Sequence, residues 1–234
     1  NSMGSQKINS LVAGSLLATG LVCGASSALA YEAGDIILRA GVASVQPDES
    51  SSALNLAGTG PLAGTSAGVD NNEQLGLTGT YMLTSNIGIG LLAATPFEHD
   101  ITAQGLGAPI DAGDTKQLPP TLTLQYFPME SSSDFQPYVG IGINYTAFFD
   151  EGVDSDLEAF LGESGGELEL DDSIGLAAQV GFDYAVDEHW LLNASVWYID
   201  IDTSADFKFN GGTRITADVD IDPWVYMVGL GYKF

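Results

Sequence analysis

Apolar and polar residues alternate along the last thirteen residues of the chain, 222–234. In an extended strand, every second side chain lies on the same face. One face of this segment would carry only large apolar side chains, namely Trp224, Tyr226, Val228, Leu230, Tyr232 and Phe234. The pattern predicts a β-strand with one wholly apolar face.

The same alternation occurs in eight segments: 35–45, 73–83, 86–95, 121–127, 137–149, 173–185, 189–200 and 219–234. Most are close to the roughly 9–11 residues with which a tilted strand crosses a bilayer. We predict no helix long enough to cover the apolar faces, so lipid is the expected cover. Since lipid offers the backbone no hydrogen bonds, spanning strands must close into a barrel. The predicted fold is all-β, an eight-stranded antiparallel transmembrane β-barrel whose last strand pairs with its first.

The connections between the predicted strands alternate in length. Short turns occur at 84–85, 128–136 and 186–188, and long connections at 46–72, 96–120, 150–172 and 201–218. Short periplasmic turns with long extracellular loops are the layout of outer-membrane barrels, and this layout predicts periplasmic termini. Within 150–172, Ser155 and Glu158 predict a capping box for a short helix carrying Leu157, Phe160 and Leu161 on one face.

Alternation also assigns the inward side chains, because a slip of one residue would reverse every face. The inward set includes Leu92, Trp197, several glycines and three charged residues, Arg39, Asp183 and Lys233. We predict that these three charges form an inward polar network, because an unpaired charge inside a barrel is costly. Ion conduction through them is the alternative.

Composition narrows the classes further. Residues 1–30 resemble a secretory signal peptide, with Lys7, an apolar run and the cleavage pattern Ala28-Leu29-Ala30. The two residues before Met3 are interpreted as a vector scar or as upstream translated residues. The mature barrel would then be residues 31–234, and the single Cys23 would leave with the signal. The net charge of −25 excludes nucleic-acid binding, which requires basic residues.

Six strings resemble the outer-membrane protein W (OmpW) family: LLAATPFEHDI from Leu91, LPPTL from Leu118, PYVGIGINYTAFFD from Pro137, SVWYIDIDT from Ser195, DPWVYM from Asp222 and the terminal GYKF. They occur in the order of the family and cover nearly the whole mature chain. The resemblance implies an eight-stranded barrel that moves small hydrophobic molecules across the outer membrane. The loops are more acidic than the family leads us to expect.

The resemblance also implies roles for two inward residues. Leu92 and Trp197 match positions that narrow an apolar lumen in the family, and alternation places both inside. We expect a constriction on a ligand path, with simple packing of a small barrel as the alternative.

Three prolines, Pro96, Pro119 and Pro120, flank the second long connection. Because proline donates no ladder hydrogen bond, we expect the third and fourth strands to be unpaired near their outer ends. One interpretation is a lateral window toward the membrane, which the resemblance supports. The other is that the prolines simply end their strands.

Other chemistry finds little support in the sequence. We predict no catalytic residues, no cofactor and no metal site, although His99 could have Thr102 or Ser66 as a partner in an enzyme. Asp200 and Asp202, together with Asp218, Asp220 and Asp222, predict a solvated acidic rim, with Ca²⁺ binding between strands as the alternative.

We therefore expect an outer-membrane channel for small hydrophobic molecules in a Gram-negative bacterium, with lateral exit toward the membrane. The alternative is a non-transporting structural or receptor barrel whose acidic loops bind cations or lipopolysaccharide. The expected partners are membrane lipids, lipopolysaccharide, hydrophobic solutes and, through the terminal Phe234, the barrel-assembly machinery.

Overall fold

The computed structural model describes residues 30–234. The predicted signal peptide, residues 1–30, lies outside the described residues except for Ala30.

Seventeen strands and one helix make up the described chain. The elements up to residue 118 are β1 (Ile36–Gln46), β2 (Ser50–Ser51), β3 (Asn55–Leu56), β4 (Gly60–Pro61), β5 (Ser66–Val69), β6 (Asn72–Met82), β7 (Ile87–Ala94), β8 (Phe97–Gln104) and β9 (Ile110–Leu118). The remaining elements are β10 (Thr121–Tyr126), β11 (Phe135–Val153), α1 (Ser155–Leu161), β12 (Glu167–Leu170), β13 (Ser173–Ala185), β14 (Trp190–Ile199), β15 (Asp202–Lys208), β16 (Arg214–Asp220) and β17 (Trp224–Lys233).

Eight strands close into an antiparallel barrel in the order β1, β6, β7, β10, β11, β13, β14 and β17, and β17 pairs back onto β1. This closure confirms the predicted fold. Along the closing seam Gly41 pairs with Gly229. A Cβ atom on either glycine would lie 2.1 Å from a backbone oxygen of the opposite strand, so the seam requires glycine at both positions.

The two ends of the barrel differ. The inner end is the one that carries the short turns and both ends of the described chain. There the Phe234 amide donates a hydrogen bond to the Ile36 carbonyl at 2.8 Å. The outer end carries the long connections. Side chains on the barrel wall alternate as the sequence predicts: outward residues such as Ile174, Leu176 and Ile141 are 70–76% exposed, whereas inward Arg39 and Trp197 are buried. The outward residues form an apolar belt far larger than the patches that water-soluble surfaces show.

Beyond this belt the barrel wall continues as two hairpins, β8–β9 and β15–β16. β9 also pairs with the extended outer part of β11, and β12 pairs with β15. The sequence analysis did not predict these strands. Their inward residues still alternate, but Glu98, Asp100 and Asp206 occupy outward positions, because water rather than lipid faces this part of the wall. A search for strands with an apolar outer face therefore passes over them.

The predicted final strand, 219–234, is wrong in one respect, because the structure divides it into β16 and β17. The break falls at Asp222, whose φ is 37°, followed by Pro223. A positive φ interrupts an extended strand, and proline cannot donate to the ladder. Ile221 and Asp222 instead hydrogen-bond through their amides to the Ile201 carbonyl.

The predicted short helix is confirmed as α1, but its cap differs. The N-cap is Asp154, whose carboxylate accepts a hydrogen bond from the Asp156 amide at 2.8 Å, rather than Ser155. The Glu158 side chain accepts from the Gly166 amide instead of closing a capping box. With seven residues, α1 is too short to cross a membrane, and no other helix occurs in residues 30–234.

Candidate functional site

A network of buried polar side chains crosses the inner part of the barrel. At its centre, Nε and Nη2 of Arg39 on β1 donate hydrogen bonds to the two carboxylate oxygens of Asp183 on β13, at 2.8 and 2.5 Å. The two side chains are 1% and 0% exposed. Paired charge-assisted bonds of this kind are stronger than neutral ones. Neither charge is therefore left uncompensated inside the barrel.

Three further side chains, on β6, β10 and β13, extend this network. Nη1 of Arg39 donates to the Thr80 hydroxyl at 2.8 Å, and that hydroxyl donates to Oε1 of Gln125 at 2.8 Å. Nε2 of Gln125 then donates to Oε1 of Gln179 at 2.9 Å. The chain of bonds links β1, β6, β10 and β13 across the interior.

The Asp183 carboxylate accepts two more hydrogen bonds. Nδ2 of Asn193 donates at 2.8 Å, and the Tyr31 hydroxyl donates at 2.5 Å. We call the connected set the polar plug: Tyr31, Arg39, Thr80, Gln125, Gln179, Asp183 and Asn193.

Tyr31 also belongs to an apolar layer below the plug, at the inner end. Its ring meets Phe127 edge to face at 5.3 Å, and Phe127 contacts Tyr138 at 5.0 Å. Ile37 and Leu191 complete this layer with no exposed surface. The sequence analysis did not identify Tyr31, because it precedes the first alternating segment and follows directly on the predicted cleavage site.

Lys233 does not join the other two predicted network charges, and this part of the prediction is wrong. The strand register pairs Arg39 with Gly231 and Ile37 with Lys233, so Lys233 lies nearer the inner end. Its Nζ lies 3.5 Å from an Asp35 carboxylate oxygen. Lys233 therefore pairs with an acidic residue just before β1.

On the outer side of the plug, the interior is mainly apolar, with a few buried polar side chains. We call this part the outer core, a continuous cluster of buried side chains that includes Leu54, Phe97, Ile101, Phe148, Leu157, Phe207, Ile215, Val219 and Met227. Leu92 and Trp197 lie at its inner boundary and are 3% and 1% exposed. Along β14, Trp197 lies four residues outward of Asn193 in the plug. Both residues thus lie inside the barrel where its interior changes from polar to apolar.

The outer core is closely packed. A cavity of about 40 Å³ lies under α1, among Leu157, Phe160, Leu161 and Phe207. A second, of about 10 Å³, is lined by His99, Ile101, Phe148 and Thr203. A volume of roughly 10–15 Å³ holds one water molecule. Neither cavity is large enough for a small hydrophobic solute, which could enter either one only by displacing side chains.

The barrel wall is interrupted next to Leu92. Leu92 pairs with Thr121, and Phe97 pairs with Gln117, but residues 93–96 and 118–120 make no ladder pairs with each other. The three predicted prolines lie here: Pro96 is exposed, Pro119 is buried and Pro120 is half-buried. The interruption lies at the outer edge of the apolar belt. On its inner side, Leu91 and Leu122 face outward, whereas on its outer side the outward residue is Glu98.

The proline segment is held on one side only. The Pro119 carbonyl accepts from the Thr121 hydroxyl at 3.0 Å, and the Pro120 carbonyl accepts from the Tyr145 amide at 3.1 Å. Both donors lie on β10 or β11. On the opposite edge of the interruption, the Thr95 amide donates a hydrogen bond to the Leu75 carbonyl on β6. Each edge is thus bonded away from the interruption, and within residues 30–234 no backbone hydrogen bond joins 93–96 to 118–120.

Two buried polar residues lie just outward of the interruption. Nδ1 of His99 lies 2.8 Å from the Asp70 carbonyl, while its Nε2 has no hydrogen-bond partner among residues 30–234. Both polar atoms of the Gln117 amide lack partners in the same part of the chain. Burial lowers the pKa of His99, against the opposing effect of Asp70, so the ring is held neutral at neutral pH. From the sequence, His99 was considered as a catalytic base and as a metal ligand, and Gln117 was not singled out.

The predicted acidic rim brings three carboxylates together. Oxygens of Asp200, Asp202 and Asp222 lie within 4.8 Å of one another, beside the exposed rings of Tyr198 and Trp224. Partial burial and the neighbouring carboxylates raise the pKa of Asp202 to about 6. A proton on this group relieves the repulsion of like charges.

Comparison with known proteins agrees with this architecture. The OmpW family matches residues 32–234. The chain is 50% identical over 209 residues to outer membrane protein W of Vibrio cholerae, covering 88% of this chain and 91% of the relative. It is 48% identical over 225 residues to outer membrane protein W of Escherichia coli, covering 96% and 99%.

Among solved structures, the crystal structure of the outer membrane protein OprG from Pseudomonas aeruginosa is similar, with a TM-score of 0.82 and 51% identity, covering 88% of this chain and 98% of that chain. The closed barrel and its apolar belt agree with the family match, which covers residues 32–234. The chain therefore belongs to the OmpW family of outer membrane proteins.

Proposed function

We propose that the protein is an outer-membrane conduit for small hydrophobic solutes, which enter the outer core from outside and leave sideways at the proline interruption. The observation that carries this proposal is the position of the interruption. It lies directly outward of Leu92, where the apolar interior ends and the polar plug begins.

The polar plug makes the straight route to the inner end unfavourable for an apolar molecule. A solute passing inward would separate Arg39 from Asp183 and leave buried polar groups without partners. Each unsatisfied neutral group costs about 1–3 kcal/mol, and a broken buried ion pair costs roughly 3–5 kcal/mol. Tyr31 and the apolar layer below it obstruct the same route.

The sideways route avoids these costs. Burying a methylene from water contributes about 0.8 kcal/mol, so an eight-carbon chain gains roughly 6 kcal/mol on entering the outer core. Release into water would reverse that gain, whereas release into hydrocarbon retains it. Leu91 and Leu122 continue the apolar surface from the interruption into the belt. In this mechanism Leu92 and Trp197 form the floor that turns the solute aside.

The test is to fill the interruption with a side chain. Ala94, the half-buried last residue of β7, has its side chain on the inward face, whereas Ala93 faces lipid. In cells whose own copy is deleted, octane uptake would be compared for wild type, Ala94→Phe and the matched control Ala93→Phe. We expect Ala94→Phe to lower uptake toward the rate of deletion cells, and Ala93→Phe to match wild type.

Replacement of Pro119 and Pro120 by alanine provides a second variant. Alanine restores two backbone donors, which favours closure of the ladder and should also slow uptake. Equal octane uptake in deletion cells, wild-type cells and all variants would refute the conduit.

A second candidate function is a non-transporting structural or receptor barrel. The cluster of Asp200, Asp202 and Asp222 at the level of the outer aromatic rings favours it, since a divalent cation there could bridge to lipopolysaccharide phosphates. Replacing Asp200, Asp202 and Asp222 together by asparagine discriminates between the two functions, because these side chains lie outside the outer core. Loss of envelope integrity with unchanged octane uptake would favour the receptor barrel.

A further inference from the structure

We propose that His99 and Gln117 form a polar subsite for the hydroxyl group of an aliphatic alcohol at the edge of the interruption. This inference rests on the proposed function, because it names a class of solute that the same path would carry. The subsite would bind the hydroxyl while the aliphatic chain occupies the outer core or the adjacent lipid.

The hydrogen-bonding state of His99 follows from its contacts. The ring is 1% exposed and lines the cavity of about 10 Å³ in the outer core. Nδ1 lies 2.8 Å from the Asp70 carbonyl, which can only accept, so Nδ1 carries the proton of the neutral ring. Nε2 is then an acceptor without a well-formed hydrogen bond among residues 30–234, although the Gln117 side chain lies close enough to affect the pKa of the ring.

Gln117 supplies the complementary donor. In the β8–β9 hairpin, His99 pairs with Thr115 and Phe97 pairs with Gln117, so the two inward side chains are diagonal neighbours. Gln117 has no exposed surface, and its amide nitrogen and oxygen are both unpartnered within residues 30–234. A hydroxyl group donates one hydrogen bond and accepts another. It can therefore satisfy His99 Nε2 and the Gln117 NH₂ group together.

Buried polar groups without hydrogen-bond partners are concentrated around the interruption. Of seven buried side-chain atoms without a partner in residues 30–234, five belong to Thr78, His99, Gln117 and Thr123. Thr78 pairs directly with Leu92, and Thr123 pairs with Gly90 two residues further inward. Buried polar groups in native proteins nearly always have partners, so such a concentration requires a ligand or water.

The surrounding charge favours a neutral head group over a carboxylate. Asp70, Glu98, Asp100 and Asp114 are exposed around the same hairpin, and its cation, Lys116, is already near Glu98 and Asp150. A carboxylate would be repelled by these acids, whereas a hydroxyl would not. The subsite is therefore assigned to alcohols rather than fatty-acid anions.

Binding can be observed directly at the histidine. His99 and His189 are the two histidines of the chain, so a His189→Gln variant labelled with ¹⁵N-histidine reports His99 alone. In phosphatidylcholine nanodiscs, 1-octanol should shift the Nε2 resonance in the direction of an accepted hydrogen bond, and n-octane should not. The shift should disappear in Gln117→Leu, which keeps the side-chain volume but removes the donor.

Uptake provides the functional readout. We expect Gln117→Leu to lower 1-octanol uptake about threefold to tenfold, the effect of one lost hydrogen bond, with n-octane uptake unchanged. Comparing each variant with wild type for the same solute cancels differences in partitioning. Gln104→Leu on the same hairpin is the matched control, because Gln104 is exposed and should leave both rates unchanged.

The outcomes separate this inference from the conduit itself. An octanol-specific shift without uptake of either solute would refute the conduit and support the subsite. An unchanged Nε2 resonance in 1-octanol would mean that water alone fills the subsite, and would overturn the inference. A Gln117→Leu variant that slows both solutes equally would also overturn it.

Discussion

The outer core and the polar plug are enclosed by the same eight strands, yet different forces hold them together. Apolar burial stabilises the outer core and does not depend on direction, so its side chains can rearrange around a guest. The plug depends on aligned hydrogen bonds between Arg39, Asp183 and their neighbours, and a guest would have to break several of them at once. One continuous wall thus encloses an adaptable region and a rigid one, separated at Leu92 and Trp197.

The largest effect should come from breaking the plug. Asp183→Leu leaves Arg39 charged and unpaired in the interior, which we expect to cost roughly 3–5 kcal/mol of stability and to raise ion conductance. Urea unfolding in lipid vesicles and planar-bilayer recordings would measure the two effects. Octane uptake should remain, because the outer core is untouched.

The double variant Arg39→Met/Asp183→Leu is the control for this prediction. Replacing both charges with apolar residues should recover most of the lost stability, since buried pairs are often replaceable as a unit. A double variant as unstable as Asp183→Leu would show that the pair does more than compensate its own charges.

A smaller effect, on the other region, should follow from opening the floor of the outer core. Leu92→Ala removes buried methyl groups and should cost about 2–4 kcal/mol in vesicle unfolding. Because the floor becomes wider, we expect bulkier hydrocarbons to be taken up, with ion conductance equal to wild type. Increased conductance in Leu92→Ala would mean that the two regions are not independent.

The smallest effect concerns the acidic rim, which belongs to neither region. The pKa of Asp202 is raised to about 6 from 3.8, so its folded form holds the proton more tightly. Its stabilising contribution is present below pH 3.8 and is lost as the pH rises through about 6. Melting temperature should therefore fall between pH 4 and pH 7, and Asp202→Asn should reduce that fall by about 2 °C.

Circular dichroism melts at both pH values would test this prediction. Asp134→Asn, at the opposite end of the barrel, is the control. An identical pH dependence for Asp202→Asn and wild type would contradict the assignment to Asp202.

The barrel strands could be predicted from sequence because lipid imposes an apolar residue at every second outward position. Alternation alone then predicted the inward placement of Leu92, Trp197, Arg39 and Asp183. The pairing of Lys233 with Asp35 did not follow, because it depends on the depth at which each charge sits, and that depth is set by strand register.

The outer hairpins could not be predicted in the same way, because water tolerates Glu98 and Asp100 where lipid would not. His99 and Gln117 were hidden for this reason, within a stretch that resembled a loop. Their significance depends on missing hydrogen-bond partners, and only three-dimensional neighbours can establish that. The role of Tyr31 could not be predicted, because a single residue before the first strand takes part in no alternation of apolar and polar positions.

The contact between Tyr31 and Asp183 joins positions 152 residues apart. It requires β13 to stand opposite β1, and that arrangement exists only once the sheet has closed on itself. The hydrogen bond between Tyr31 and Asp183 can therefore form only in a closed barrel, and its presence distinguishes a closed barrel from an open sheet.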